Sequence, residues 1–116
     1  MKLTTVAWGS EISWTLSSCE SEGGYGDNEE YTQKCCLGPG NYNLECKDSY
    51  GDGWHNGYIE VSGVKYCESF TSGSEETSQI IVQDSGKYYT YHIILYIMYQ
   101  YSNTDPFFDV ILDCFI

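Results

Sequence analysis

The sequence predicts an all-β protein, an antiparallel, jelly-roll-like β-sandwich stabilised by disulfides. Three observations lead to this fold class. Short stretches in which apolar and polar residues alternate recur at roughly 8–12-residue spacing, with Gly- and Asp-rich turns between them. No segment before residue 86 has a sustained apolar period of ~3.6 residues, so helices are not expected there. The 116 residues also include six cysteines, a high count for a cytosolic chain of this length.

The alternation marks five strands in chain order. Each has apolar residues at every second position, as expected for a strand with one buried face, or a short apolar run. These strands are 12–16, 42–46, 58–61, 64–66 and 79–83. The third and fourth are separated by Ser62 and Gly63, which predicts a hairpin. The other connections carry turn-forming sequences at 23–30, 38–40, 49–57 and 72–76.

The composition changes abruptly near residue 86. All 12 glycines lie at or before Gly86, whereas the remaining residues are rich in Tyr, Ile and Phe. We therefore divide the chain into a β-sandwich domain, 1–85, and an apolar aromatic extension, 86–116, which is either a last strand or a non-native tail. The N-terminal stretch lacks the apolar run of about 7–15 residues that a signal peptide requires, so an extracellular chain is expected to be a fragment or an excised domain.

The net charge and the cysteine content limit the classes of binding partner and the cellular compartment that can be expected. The formal net charge is −12 and all five basic residues are lysines, which argues against nucleic acid and anionic membranes because both require cationic surfaces. The apolar run at 93–99 is far shorter than the ~20 residues of a membrane span. The cysteines indicate an oxidising compartment, so we expect a secreted protein with an extracellular protein or glycan as its partner, or self-association.

The cysteine positions predict disulfides rather than a zinc site, because no C-x₂-C or His-x₃-His spacing occurs. The six cysteines are Cys19, Cys35, Cys36, Cys46, Cys67 and Cys114. Adjacent Cys35 and Cys36 point to opposite faces of a strand and need different partners. We expect Cys19 to pair with one of these two, and Cys46 to pair with Cys67. The fifth cysteine of the body then requires Cys114, a cysteine absent from this sequence or another molecule.

The segment 46–57, C-K-D-S-Y-G-D-G-W-H-N-G, is the best candidate for a functional site. Asp48, Asp52 and Asn56 recur at intervals of four, and the intervening glycines let the backbone turn tightly. Oxygen-rich loops of this kind bind Ca²⁺, which takes six to eight oxygen ligands. Asp27, in the acidic turn-forming stretch at 23–30, is a further candidate ligand. The alternative is a tight acidic turn in which Asp side chains hydrogen-bond their own backbone.

The same loop is rich in aromatic residues. Tyr50, Trp54, His55 and Tyr58 are candidates for a platform that contacts a sugar or a protein. Alternatively, Trp54 folds beneath the loop as its apolar anchor, because a large aromatic side chain contributes most when buried. No catalytic motif is present, and Glu11 and Glu60 have the spacing of ordinary strand-surface carboxylates. An enzyme is therefore not expected.

Several motifs in fixed order resemble a known type of domain. They are E-I-S-W at 11–14, C-C-L-x-x-G-x-Y-x-L-x-C at 35–46, D-S-Y-G-D-G-W-x-x-G at 48–57, Y-C at 66–67 and Phe70. This order resembles a secreted, cysteine-containing domain that recurs in extracellular, often multi-domain eukaryotic proteins. The resemblance covers roughly residues 3–83. It implies a compact extracellular β-sandwich in which the GDGW loop is a recurring feature, and it implies no known reaction.

The predicted function is therefore a non-enzymatic extracellular binding or adhesion module with a Ca²⁺-binding DSYGDGW loop. One alternative is a structural subunit of an extracellular filament or matrix that self-assembles through exposed β edges. A second alternative is a calcium-dependent lectin.

Overall fold

A computed structural model describes residues 1–83, and these form two four-stranded antiparallel sheets. The all-β class and the sandwich-like arrangement are thus confirmed. The extension 86–116 and Cys114 lie outside the described residues. In chain order the strands are β1 Lys2–Thr4, β2 Ile12–Leu16, β3 Cys19–Glu20, β4 Glu30–Thr32, β5 Gly40–Asp48, β6 Tyr58–Val61, β7 Val64–Tyr66 and β8 Glu75–Val82. A single 3-10 turn, Gly9–Glu11, precedes β2.

One sheet has the order β4-β1-β6-β7 and the other β3-β2-β5-β8. The nine-residue β5 is the longest strand and lies between β2 and β8. Its last residue, Asp48, is registered with Ile12 at the start of β2. The N–H of Asp48 also donates to the carbonyl of Ser74, just before β8, at 2.9 Å. Asp48, from which the following loop begins, is therefore fixed by β2 on one side and by the residue before β8 on the other.

The core lies between the inner faces of the two sheets. Strand β2 has a strict alternation of buried and half-buried residues, and β6 repeats it. The side chains that are essentially inaccessible to solvent include Leu16, Leu44, Ile59 and Ile80. Each such burial contributes roughly 1.5–3 kcal/mol relative to an exposed side chain. The five strands predicted from alternation correspond to β2, β5, β6, β7 and β8.

The remaining strands, β1, β3 and β4, were not predicted. They contain two or three residues each, which is too few for a period of two to be recognised. Their pairing is long-range: β1 joins β4 on one side and β6 on the other. Such short strands exist because a neighbouring strand completes their hydrogen bonds.

Disulfides link distant parts of this fold. Cys19 of β3 pairs with Cys35, with their Cα atoms 6.0 Å apart, and Cys46 of β5 pairs with Cys67 after β7, at 6.5 Å. The second bridge joins the two sheets through the core. Cys35 is buried and Cys36 exposed, as expected for neighbours on opposite faces, and Cys36 is itself disulfide-bonded. Among residues 1–83 no helix has the length and apolar character that crossing a membrane requires.

Candidate metal site

The loop after β5 is organised by the carboxylate of Asp48. Its Oδ2 accepts hydrogen bonds from three successive backbone N–H groups, those of Gly51 at 2.7 Å, Asp52 at 2.6 Å and Gly53 at 3.1 Å. An acidic side chain that bends back onto the following backbone is typical of Asp in turns. The tight acidic turn given above as the alternative to a metal site is therefore present, and it uses one of the two carboxylate oxygens of Asp48.

Gly53 gives this loop a backbone that other residues do not tolerate. Its φ is +84°, and a Cβ built on it would lie 2.4 Å from the carbonyl oxygen of Phe70. The next residue, Trp54, donates its N–H to that same carbonyl at 2.8 Å. The loop can approach the chain at Phe70 closely because no side chain stands between them.

Trp54 anchors the loop from below. It is fully buried, its indole N–H donates to the carbonyl of Lys47 at 2.9 Å, and its ring packs at 6.2 Å from that of Phe70. Trp54 thus has the buried arrangement expected of an apolar anchor and presents no face to solvent.

Glu11, the last residue of the 3-10 turn before β2, contacts the loop through its backbone. Its N–H donates to the carbonyl of Trp8 at 2.9 Å, and its carbonyl accepts from the N–H of Ser49 at 3.0 Å. The 3-10 turn is therefore bound to the first residue of the loop. One oxygen of Glu11, one of Asp48 and one of Asp52 lie within 4.8 Å of one another. We call these three carboxylates the acidic triad.

The triad contains an oxygen without a partner. Asp48 is only 3% exposed, and its Oδ1 is buried and accepts no hydrogen bond. The Glu11 carboxyl lies within hydrogen-bonding reach of the Asp48 carboxylate. Because both groups are acceptors when ionised, they cannot hydrogen-bond each other, and a shared proton or a bound cation satisfies this contact.

The pKa values of the Asp48 and Glu11 carboxyls are shifted in opposite directions. Burial by itself raises the pKa of Asp48, but the hydrogen bonds donated by the backbone of Asp52 and Gly51 outweigh it, so its pKa lies below the ordinary value. Burial, followed by the negative charges of Asp48 and Asp52, raises the pKa of Glu11. Asp48 is thus held as an anion, whereas Glu11 is the member that favours a proton or a cation.

The triad offers a hard cation three carboxylates and no nitrogen or sulfur ligand. Oxygen-only sets of this kind suit Ca²⁺ or Mg²⁺ rather than zinc or copper. Ca²⁺ accepts irregular geometry and takes six to eight oxygens, so the triad fills part of its shell and the rest comes from other donors. Within residues 1–83 no lysine forms an ion pair with the triad; only the Nε2 of His55 lies nearby, 3.2 Å from Asp52 Oδ1.

Two of the four predicted metal ligands lie together, and the other two lie elsewhere. Asp48 and Asp52 come together, as a shared site requires. Asn56 is exposed, in a left-handed backbone conformation with φ of 71°. Asp27 is exposed as well and its Oδ1 accepts the N–H of Gly9 at 2.8 Å, so it braces the 3-10 turn rather than joining the triad. Glu11 takes its place, a residue whose local spacing carries no metal signature.

The aromatic residues predicted to form a platform differ in exposure and do not share one surface. Tyr58 is half-buried beneath the ammonium of Lys65, which lies 4.1 Å above its ring, and His55 is half-buried beside Asp52. Tyr50 is 77% exposed, and Trp8, which the sequence did not single out, is 58% exposed. These two rings, together with Glu11 and Asp52, line an open cleft of about 270 Å³.

Compared with known proteins, the chain matches no family model, and no curated protein or solved structure is significantly similar to it.

Proposed function

We propose that this protein is a non-enzymatic extracellular binding module whose DSYGDGW loop and Glu11 together bind Ca²⁺. The observation that carries the proposal is the buried, unpartnered Oδ1 of Asp48 within the acidic triad. The hydrogen bonds to Oδ2 account for the turn of the loop, but not for the presence of two further carboxylates within 4.8 Å of Asp48. Leaving a buried acceptor without a partner costs about 1–3 kcal/mol, and a cation removes this cost.

The setting supports calcium over other hard cations. The disulfides Cys19–Cys35 and Cys46–Cys67 are typical of a secreted domain, and extracellular modules commonly bind Ca²⁺ with dissociation constants of roughly 10⁻⁴–10⁻³ M. A partial protein shell of three carboxylates suits such weak binding. Mg²⁺ requires nearly ideal octahedral geometry, which a loop defined by three backbone hydrogen bonds is not built to adjust.

Calorimetry and thermal unfolding test the calcium site. Titration of CaCl₂ into the protein in chelator-free buffer is expected to give one saturable site, and at about 100 times the dissociation constant the free energy of unfolding rises by about 2.7 kcal/mol. The Glu11→Gln variant keeps the size of the side chain but removes a charged ligand, and we expect its affinity for Ca²⁺ to fall at least about tenfold.

Glu20→Gln is the matched control, because Glu20 is an exposed carboxylate outside the triad. It is expected to bind Ca²⁺ as the unaltered protein does. An unchanged melting temperature in excess Ca²⁺ and in chelator would sink the proposal. So would equal affinities of the Glu11→Gln variant and the control.

Self-assembly is a second candidate function, favoured by a separate observation. Strands β7 and β8 end the two sheets among the described strands, and each carries an exposed branched apolar residue, Val64 at 51% and Ile81 at 65%. Edge strands with apolar side chains are templates for strand addition. Light scattering against concentration tests this function: a filament or matrix subunit assembles, and the Ile81→Lys variant stays monomeric. A monomer at all concentrations excludes it.

A further inference from the structure

The cleft above the triad has two exposed aromatic walls. Trp8 and Tyr50 stand at its sides, while Glu11 and Asp52 contribute carboxylates to its lining. Two large aromatic side chains left open to water beside a charged group are not explained by packing, because the core already buries the Trp54 ring under the same loop. Exposed aromatic surface next to polar groups is typical of a binding site.

The position of Trp8 is defined by its backbone. Its φ of 56° and ψ of 38° lie in the left-handed region, which is rare for a bulky residue. Its carbonyl accepts the N–H of Glu11, so the ring and the carboxylate belong to one turn. Asp27 braces this turn through the N–H of Gly9. The backbone that carries Trp8 is therefore tied to the backbone of Glu11 by a hydrogen bond, while the Trp8 ring itself stays exposed.

The chemistry of the cleft selects a neutral, hydroxyl-rich ligand. Three carboxylates fill only part of the shell of six to eight oxygens that Ca²⁺ takes, and hydroxyl oxygens are suitable further ligands for it. Carboxylates accept hydrogen bonds from hydroxyl groups, whereas an anionic ligand would meet both these carboxylates and a net charge of −12. Flat aromatic faces pack against the C–H faces of a sugar ring.

We propose that this cleft binds a single neutral sugar unit of a glycan, with two adjacent sugar hydroxyls on the Ca²⁺ and the ring packed against Trp8 or Tyr50. This inference rests on the proposed calcium site. The cleft volume of about 270 Å³ is slightly below the roughly 300–1,000 Å³ of typical small-molecule sites, which fits one sugar unit at a chain end better than an enclosed oligosaccharide. The affinity for one unit is expected to be weak.

The experiment measures binding of neutral hexaoses of mannose, glucose, galactose and xylose by saturation-transfer NMR and calorimetry, with a galacturonic acid hexaose as the anionic control. At about 5 mM CaCl₂ we expect at least one neutral hexaose to bind, and chelator to abolish this binding. Trp8→Ala or Tyr50→Ala is expected to weaken it about tenfold, which corresponds to 1.4 kcal/mol, and to leave Ca²⁺ affinity unchanged. Val64→Ala removes an exposed apolar side chain elsewhere and should leave sugar binding intact.

The outcomes distinguish the two proposals. Absence of Ca²⁺ binding overturns the calcium site and the sugar site together. Normal Ca²⁺ binding without binding of any neutral hexaose overturns the sugar site alone. Sugar binding that persists in chelator, or in both aromatic variants, places the sugar elsewhere and also overturns it. If a displayed peptide library instead yields ligands that need Trp8 and Tyr50, while the hexaoses fail, the cleft recognises protein.

Discussion

Replacement of Asp48 by Asn tests directly how the loop is held. The substitution keeps the shape of the side chain and an oxygen that can accept from the backbone, but it removes the charge. Three N–H groups, those of Gly51, Asp52 and Gly53, converge on the Oδ2 of Asp48 at 2.6–3.1 Å. Each therefore changes from a bond to an ion into a bond to a neutral amide.

The expected cost follows from these three bonds. A hydrogen bond to a charged group contributes about 1.5–3 kcal/mol and a neutral one about 0.5–1.5 kcal/mol, so each bond loses about 1 kcal/mol. Because all three share one oxygen, their losses do not add fully. The relief of repulsion between Asp48 and the other two triad carboxylates offsets part of the rest. We expect the free energy of unfolding to fall by about 2 kcal/mol without metal, and the melting temperature by roughly 10 °C.

The assay is urea unfolding followed by circular dichroism at pH 7 in excess chelator, so that no metal contributes. Asp27→Asn is the matched control. Asp27 also accepts a backbone N–H, from Gly9 at 2.8 Å, but it is exposed and accepts only this one. Its replacement is expected to cost about 0.5 kcal/mol or less.

The pH dependence has a defined sign. The pKa of Asp48 is lower in the folded protein than its ordinary value of 3.8, so its contribution is present above that value and is lost as the pH falls through the lower, folded pKa. The difference in stability between the unaltered protein and Asp48→Asn should therefore shrink in strong acid. A variant as stable as the unaltered protein at pH 7 would refute the assigned role of the Asp48 charge.

The remaining predictions concern the triad, the loop backbone and a disulfide. In chelator at pH 7, Glu11→Gln should unfold at a temperature equal to or above that of the unaltered protein, and in saturating Ca²⁺ the unaltered protein should be the more stable of the two. Because the pKa of Glu11 is raised in the folded protein, the difference in melting temperature without metal should disappear as the pH falls through that pKa to the ordinary value. Gly53→Ala should cost roughly 2–4 kcal/mol in urea unfolding, whereas Gly63→Ala, which has a similar φ of +80° but open space around it, should cost only about 1–2 kcal/mol; equal losses would show that the contact with the chain at Phe70 is unimportant. Replacement of both Cys46 and Cys67 by Ala should cost about 3 kcal/mol, since their bridge spans 21 residues, and a loss below about 1 kcal/mol would contradict this.

Much of the fold was predictable because the strands that form the core are long enough to show their period. Ile12, Trp14 and Leu16 are all buried, and the intervening residues are half-buried. The adjacent Cys35 and Cys36 indicated that they face opposite sides, and one is buried while the other is exposed. These features are local, since each follows from residues that are neighbours in the sequence, although Cys35 and Cys36 lie between β4 and β5 rather than on a strand.

The candidate site was predictable only in its loop. The D-x-x-G-D-G spacing indicated Asp48 and Asp52 because carboxylates and glycines in one turn are visible in the sequence itself. Glu11 was not recognised, although it lies immediately before a predicted strand. Its part in the triad depends on the register of β2 against β5, which pairs Ile12 with Asp48 and so brings position 11 to the start of the loop. No spacing within the sequence encodes a register between strands 36 residues apart.

The sequence by itself therefore determined the alternating strands and the tight acidic loop, since each depends on residue types at short separation. The tertiary structure alone decided which carboxylates meet, that Trp54 is buried while Trp8 is exposed, and that Asp27 braces a turn. These outcomes depend on which strands pair and in which register, and that is set by packing of the two sheets rather than by any one segment. The acidic triad exists because β2 begins beside the residue at which β5 ends.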